Sequence, residues 1–293
     1  MTANMTVGKY LTTRLFQAGI KHIFGVPGDY ALSLFDALED SSVKVIGTCN
    51  ELNAGYAADA YARINGIGAA CVTYGVGGFS IFNAAVGAFA ERVPVIIISG
   101  APKSGERKHH HLLHHTDGDM NLQFSMYEKI AVASAVLTDA ESSPQRIDET
   151  IKACLRYKRP VYIEIPADIV SKSCSEPGKF NMDKTIPSDK APLEGALAAA
   201  LEMVGSSKKV SVLAGVEAHR LGLRKELERF IDHSGYPFAT TLLGKAVIPE
   251  AHPQFTGVYS GAIGSEEARR VLEEADLVLS LGALMTDINL GVG

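Results

Sequence analysis

The chain has 293 residues, 46% of them apolar and 21% charged, enough to bury a sizeable core and to divide into two domains. A formal charge of -5 and a pI near 6.0, with basic residues scattered rather than striped, exclude the electrostatic footprint of a nucleic-acid-binding protein, so no nucleic-acid partner is expected. No run of about 18 apolar residues occurs and no signal-like stretch is visible, and the four cysteines form no Cys-x-x-Cys pair; the expectation is a cytoplasmic protein with reduced thiols and no membrane partner.

In chain order, Tyr10, Leu11, Arg14, Leu15, Ala18 and Gly19 predict a helix with an apolar stripe and a glycine stop, then a short strand over His22-Ile23-Phe24-Gly25. The turn Val26-Pro27-Gly28-Asp29 fixes φ at Pro27 and leaves Gly28 permissive. It presents Asp29 beyond a strand end and ahead of a helix from Ala31 to Leu38, either as an N-cap or as a functional carboxylate. Val43, Val45 and Ile46 read as a short buried strand, and Ala54, Gly55, Ala57, Ala58, Ala60 and Ala62 as a helix that packs closely. Glu51 stands at the turn between them. Thr48-Cys49-Asn50-Glu51 fits a reciprocal capping box with Thr48 as N-cap. A carboxylate at the carboxyl end of a strand in an open α/β sheet also faces the ligand crevice, and both roles stay open at this point.

Ala69 to Tyr74 predicts a buried strand ending in Gly75-Val76-Gly77-Gly78, with a small-residue helix from Ser80 to Phe89. A dinucleotide fingerprint is a poor fit there, because Ser80 holds the third glycine position and the strand Val95 to Ile98 ends at Ser99 without an acidic residue. The glycines more simply let a ring or a second backbone come close. Lys103 to Met120 follows, with five histidines in seven positions. His110/His114 and His111/His115 have the i, i+4 spacing of a metal pair on a helix, but Lys103, Arg107 and Lys108 flank them, and no metal site is assigned.

Ile130 to Val136 then predicts a strand, Pro144 to Tyr157 an amphipathic helix, and Pro160 to Pro166 a closing strand. Alternating strands and helices imply an α/β fold with a parallel sheet over residues 1–170. A polar, proline-broken linker covers 171–192. A second, Rossmann-like α/β domain over 193–293 shows three strands, at Val210 to Leu213, Phe238 to Thr241 and Leu277 to Leu281. Helices are predicted over Leu193 to Val204, Leu221 to His233 and Ser265 to Glu274. The sequence stops in the loop after the third strand, so it is expected to be part of a longer polypeptide.

Phe24-Gly25-Val26-Pro27-Gly28-Asp29, Asn50-Glu51-Leu52-Asn53-Ala54 and Leu112-Leu113-His114-His115-Thr116 occur in the order and spacing of one family. The chain resembles the thiamine-diphosphate-dependent 2-oxo acid decarboxylases, and Arg159 to Pro166 matches the end of their pyrimidine-binding domain. The resemblance implies non-oxidative decarboxylation of a 2-oxo acid to an aldehyde and carbon dioxide through the thiamine diphosphate ylid. By the same resemblance Glu51 hydrogen-bonds the aminopyrimidine, Pro27, Gly28, Thr73 and Val76 line its pocket, and Asp29, His114 and His115 move protons near the reacting carbon. Gly77-Gly78-Phe79-Ser80 looks more like the phenylpyruvate and indolepyruvate relatives, so an aromatic or branched substrate is expected rather than pyruvate. The magnesium and diphosphate ligands, a Gly-Asp-Gly followed by Asn-Asn, do not occur, and both groups are expected on a further domain. A homodimer or tetramer is implied. The alternatives are a carboligase or synthase using the same coenzyme, and a non-catalytic pyrimidine-domain subunit.

Overall fold

Thr6 starts the first element because its side chain accepts the Lys9 N–H, satisfying one of the amides that a helix start leaves without a partner. From there α1 runs Val7–Gln17, and Gly19, at φ 101°, turns the chain out of it. The computed structural model describes residues 5–108, 112–116, 118–181 and 188–291. They fall into two units, Met1–Ile186 and Pro187–Gly293.

In the first unit, β1 (His22–Gly25), α2 (Leu32–Glu39), β2 (Lys44–Gly47), α3 (Glu51–Asn65), β3 (Gly68–Val72), α4 (Val76–Ala90) and β4 (Val95–Ala101) alternate. They are followed by α5 (Ser104–Lys108), α6 (Leu122–Tyr127), β5 (Ser134–Val136), α7 (Ser143–Tyr157) and β6 (Val161–Pro166). The six strands form a parallel sheet in the order β2-β1-β3-β4-β6-β5. Both faces are covered, so the strands are apolar on both sides. Val161, Ile163 and Ile165 join Leu11, Leu15, Ile147 and Ile151 on one face. Tyr162 joins Ala54, Ala58, Ile81 and Ala85 on the other, as a two-residue strand period requires. Strand order reverses at β1, which has β2 on one side and β3 on the other. The loops after β1 and β3 therefore flank a topological switch point, the place where open α/β sheets collect ligands.

The second unit contains α8 (Lys190–Ser206), β7 (Val210–Ala214), α9 (Val216–Arg220), α10 (Arg224–Ser234), β8 (Phe238–Thr241), β9 (Phe255–Tyr259), α11 (Glu266–Glu273), β10 (Leu277–Leu281) and α12 (Asp287–Leu290). Its sheet is also parallel, in the order β10-β7-β8-β9, around Val212, Ile231, Phe238 and Ile248. The α/β class expected from the sequence is the observed one.

Several details differ from expectation. The strand near Val45 is an edge, with Lys44 and Gly47 exposed and Val45 and Ile46 half-buried; β-branched residues reported strand propensity there, not burial. The strand expected from Ile130 is confined to Ser134–Val136, and α6 forms in a stretch with no strong period. In the second unit β9 is a fourth strand, hidden by Thr256 and Gly257 and joined to β8 across a register shift. The helix expected from Leu221 starts only at Arg224, since Gly222 at φ 77° separates it from α9. Among the described residues no helix is long and apolar enough to cross a membrane.

Candidate functional site

Asn50, not Thr48, caps α3: its side chain accepts the Asn53 N–H at 2.9 Å, and the Thr48 hydroxyl donates to the Asn50 carbonyl at 2.8 Å. The capping box is thus not formed with Thr48, and Glu51, first residue of the helix, is released from that role. Its carboxylate turns instead toward the glycine turn after β3. A Cβ built on Gly77 would lie 3.0 Å from Thr73 Cγ2 and 3.4 Å from Glu51 Oε1, so both side chains border a cradle that a larger residue would fill. Gly28 closes another side, where a Cβ would come within 2.7 Å of Thr73 Cβ. Pro27, next to it, is exposed, as is Val76 at the start of α4.

Thr73 Oγ1 is buried and has no hydrogen-bond partner among the described residues. A buried polar group left so costs about 1–3 kcal/mol, which makes this hydroxyl an open docking point for a polar ligand atom. A flat ring bearing an amine and ring nitrogens fits this set. It needs small neighbours along its face, a carboxyl at one edge and a hydroxyl near another.

The second group is organised by Tyr30. Asp29 does not cap a helix; it opens a short 3-10 turn, Asp29–Ala31, whose N-cap is Gly28. Its Oδ2 lies 3.3 Å from His114 Nε2. Tyr30, buried, stacks on the His114 ring with centroids 4.8 Å apart and 15° between planes. The tyrosine hydroxyl lies 3.3 Å from His114 Nδ1 and 3.2 Å from the His114 carbonyl. With its single proton given to that carbonyl, the hydroxyl can only accept at Nδ1, and Nε2 is the ring nitrogen that faces Asp29. Burial raises the Tyr30 phenol above its ordinary range, helped by the charges of Glu106 and Asp29, so it stays a neutral partner at physiological pH.

Asp29 and His114 are exposed, 76% and 53%. A contact so open contributes at most about 1 kcal/mol, too little to account for the arrangement by stability. His115 adopts φ 65°, a left-handed conformation that costs a non-glycine residue roughly 1–2 kcal/mol. Its ring sits edge-on to His114 with centroids 4.9 Å apart, and its carbonyl abuts Gly75, where a Cβ would come within 2.2 Å. A cavity of about 290 Å³ opens there between Gly75, Phe79, His115, Thr116, Leu122 and Gln123.

The structure therefore joins Glu51, Gly28 and Thr73 around one cradle and Asp29, His114 and His115 beside it, with Gly28–Asp29 and Gly75–Gly77 as the links. His109, His110, His111 and Asp117 lie outside the described residues. The helix α5 ends at Lys108 and His114 and His115 sit in a turn, so the i, i+4 metal spacing has no helix at its second positions. Among the described residues no group of three metal-ligating side chains occurs. Cys71 and Cys154 are free thiols that burial pushes well up, which removes them as nucleophiles. Sequence reasoning missed Tyr30, although its position next to Asp29 in the same turn was the available signal.

Residues 5–122 match the family model for the thiamine pyrophosphate enzyme N-terminal TPP binding domain, and residues 197–291 match that for the thiamine pyrophosphate enzyme central domain. A pyruvate decarboxylase of Neurospora crassa is 39% identical over 286 residues, 96% of this chain and 50% of its own. Pyruvate decarboxylase isozyme 3 of Saccharomyces cerevisiae is 37% identical over 297 residues, 99% of this chain and 52% of its own. Pyruvate decarboxylase 1 of Oryza sativa subsp. japonica is 37% identical over 292 residues, 97% and 48%. The chain spans about half the length of the curated relatives it matches. It belongs to the thiamine pyrophosphate enzymes and carries their N-terminal cofactor-binding and central domains.

Proposed function

We propose that this member of the thiamine pyrophosphate enzymes supplies the pyrimidine-binding half of a non-oxidative 2-oxo acid decarboxylase, which releases an aldehyde and carbon dioxide. One observation carries the reading: a carboxylate and an orphaned hydroxyl border a glycine cradle, with an imidazole–carboxylate pair next to it. Glu51, Pro27, Gly28, Thr73 and Val76 hold the aminopyrimidine of thiamine diphosphate in this reading. The coenzyme, when bound, supplies a carbon nucleophile and a sink for the electrons of the breaking carbon–carboxylate bond.

The chain's own residues then have separable tasks. Glu51 shares a proton with a ring nitrogen, a role suited to a carboxyl at a helix start and bordered by Thr73 and Gly77. His114 carries a proton at Nε2, where Asp29 stabilises the charged ring, and Tyr30 keeps Nδ1 engaged. His115 adds a second imidazole edge-on to the first. Magnesium and the diphosphate are assigned to the half of the relatives' length that this chain does not span. A homodimer or tetramer is consistent with Tyr56, Val76, Phe79 and Val86, apolar side chains left exposed on α3 and α4.

Among 2-oxo acids, pyruvate is the substrate we favour. The relatives reported above are named pyruvate decarboxylases, and an aromatic or branched preference finds no support in them. Of Gly77-Gly78-Phe79-Ser80, the residues on which that preference rested, Gly77 and Gly78 pack against Thr73, Glu51 and the Gln123 side chain, so interior packing accounts for those two without reference to a substrate. The test is aldehyde and carbon dioxide release by the full-length protein with thiamine diphosphate and magnesium, on pyruvate, phenylpyruvate and a branched 2-oxo acid. Pyruvate is expected to give the highest kcat/KM. A condensation product in place of free aldehyde would move the assignment to a carboligase, and no turnover of any of the three would sink it.

A further inference from the structure

We propose that Gln123 is a positioning residue for this site, tying the Gly75 turn to a buried polar relay that runs through Ser99, Tyr162 and Glu164 to Arg107. The inference rests on the functional reading above. Gln123 is 1% exposed, and each of its polar atoms is used. Its Oε1 accepts the Gly75 N–H at 2.8 Å, and its Nε2 donates to Ser99 Oγ at 3.0 Å and to the Tyr162 hydroxyl at 2.5 Å. That hydroxyl donates onward to Glu164 Oε2 at 2.7 Å, and Glu164 Oε1 accepts from Arg107 Nη1. Ser99 and Glu164 are register partners on β4 and β6, so the relay follows the sheet.

Both ends of the relay reach the site. At one end it holds Gly75, whose φ of 67° and ψ of -107° place it outside any regular element, and which has no side chain to cap α4. At the other, Arg107 Nη2 donates to the Met120 carbonyl at 3.0 Å, which also accepts from the Tyr74 hydroxyl at 3.0 Å. Met120 packs with Tyr30, Tyr74 and Leu113, in the cluster that underlies His114. Tyr127, stacked on Tyr162 with centroids 4.0 Å apart, donates to the Gly78 carbonyl at 2.8 Å. A Cβ at Gly78 would fall 2.2 Å from Gln123 Oε1, so that glycine is what admits the amide.

The energetics favour a role in position over one in stability. A buried ion pair such as Arg107–Glu164 is often matched by apolar packing, whereas a fully connected polar network specifies one arrangement of the atoms it joins. What this network specifies is the peptide after β3, against which the His115 carbonyl rests.

The experiment uses the full-length protein and Gln123→Met, which keeps the volume and removes all three hydrogen bonds. Amide hydrogen exchange in the cofactor-free protein should rise at least tenfold in 74–79 and stay within twofold in strands β1 and β4. With coenzyme and magnesium, kcat should fall about tenfold while KM for the 2-oxo acid moves less than twofold. Tyr162→Phe, which removes only the link between Gln123 and Glu164, should give a smaller change in the same two readouts, and it decides the matter if Gln123→Met does not fold. Exchange that is unchanged, or that rises uniformly over the first unit, overturns the proposal, as does kcat within twofold of wild type. If wild type turns over no 2-oxo acid, the functional reading fails while the exchange measurement still decides the relay.

Discussion

At the carboxyl end of the six-stranded sheet the loops after β1 and β3 meet through the Thr73 side chain, which packs on Gly28 and leaves an orphaned hydroxyl, with the Glu51 carboxylate bordering Gly77 beside it. At the corresponding place in the four-stranded sheet, where β7 has β10 on one side and β8 on the other, the loops are in contact. The Gly215 N–H donates to the Leu281 carbonyl at 2.9 Å and Glu217 N–H to the Gly282 carbonyl at 3.0 Å. A Cβ on Gly215 would meet the Gly282 carbonyl oxygen at 2.1 Å. Both sheets have a topological switch point, and both have an acidic residue in the first turn of a following helix, Glu51 in one and Glu217 in the other. Topology supplies the place for a crevice, and the glycines decide how closely the chain on either side of it approaches.

The largest expected effect separates the two carboxylates. In the full-length protein Glu51→Gln should lower aldehyde formation by roughly 10²–10⁴, the range of general acid–base contributions, while Glu217→Gln should leave it within twofold. Equal effects would erase the contrast. A step smaller, His114→Ala should cost on the order of 10² in kcat, read by steady-state kinetics, because the proposed proton carrier is removed while the Glu51 cradle stays intact.

Backbone substitutions sharpen the comparison further. Gly75→Ala puts a side chain at φ 67° against the His115 carbonyl, and Gly215→Ala puts one against Gly282. Each should destabilise by about 1–3 kcal/mol in thermal or denaturant unfolding. Only Gly75→Ala should also weaken thiamine diphosphate binding, measured by titration calorimetry; weakened binding in Gly215→Ala would show that the closed crevice matters to the open one.

The smallest effect is a pH dependence. Burial raises the Glu164 carboxyl above the ordinary carboxylate range, with the Arg107 charge and the Tyr162 hydrogen bond opposing it. A carboxyl raised on folding binds protons more tightly in the native state, so its contribution is fully present below its unfolded pKa and is lost as pH rises through the folded value. The Tm of wild type relative to Glu164→Gln should therefore decline as pH increases from the acid side toward neutrality. A difference that grows with pH would reverse the sign and remove the inference of a raised carboxyl.

Much of the first unit was readable because its signals are local. The glycine turn after β3, the Pro27-Gly28-Asp29 turn and the paired His114 and His115 are each contained in a few residues, and their order along the chain sufficed to identify the family. Signals that depended on a neighbour misled. Thr48 had the chemistry of a cap and lost the position to Asn50, two residues on. Gly77-Gly78-Phe79-Ser80 looked like a substrate signature; its two glycines pack against Thr73, Glu51 and Gln123, and the relatives named pyruvate decarboxylases give the aromatic or branched preference no support. Glu164, a carboxylate inside the run Val161–Pro166, was the one legible hint of the relay, since a buried charge must find partners.

By itself the sequence determined the α/β class, the family and the list of polar residues that end at strand termini, because period, turn chemistry and motif order are properties of contiguous residues. Only the tertiary structure decided which of those residues meet. Arg107 reaches Glu164 across 57 positions, Gln123 reaches Gly75 across 48, and Tyr30 reaches His114 across 84. Such pairs are set by strand order and by the few ångströms that a missing Cβ provides, and neither quantity has a local signature in the chain.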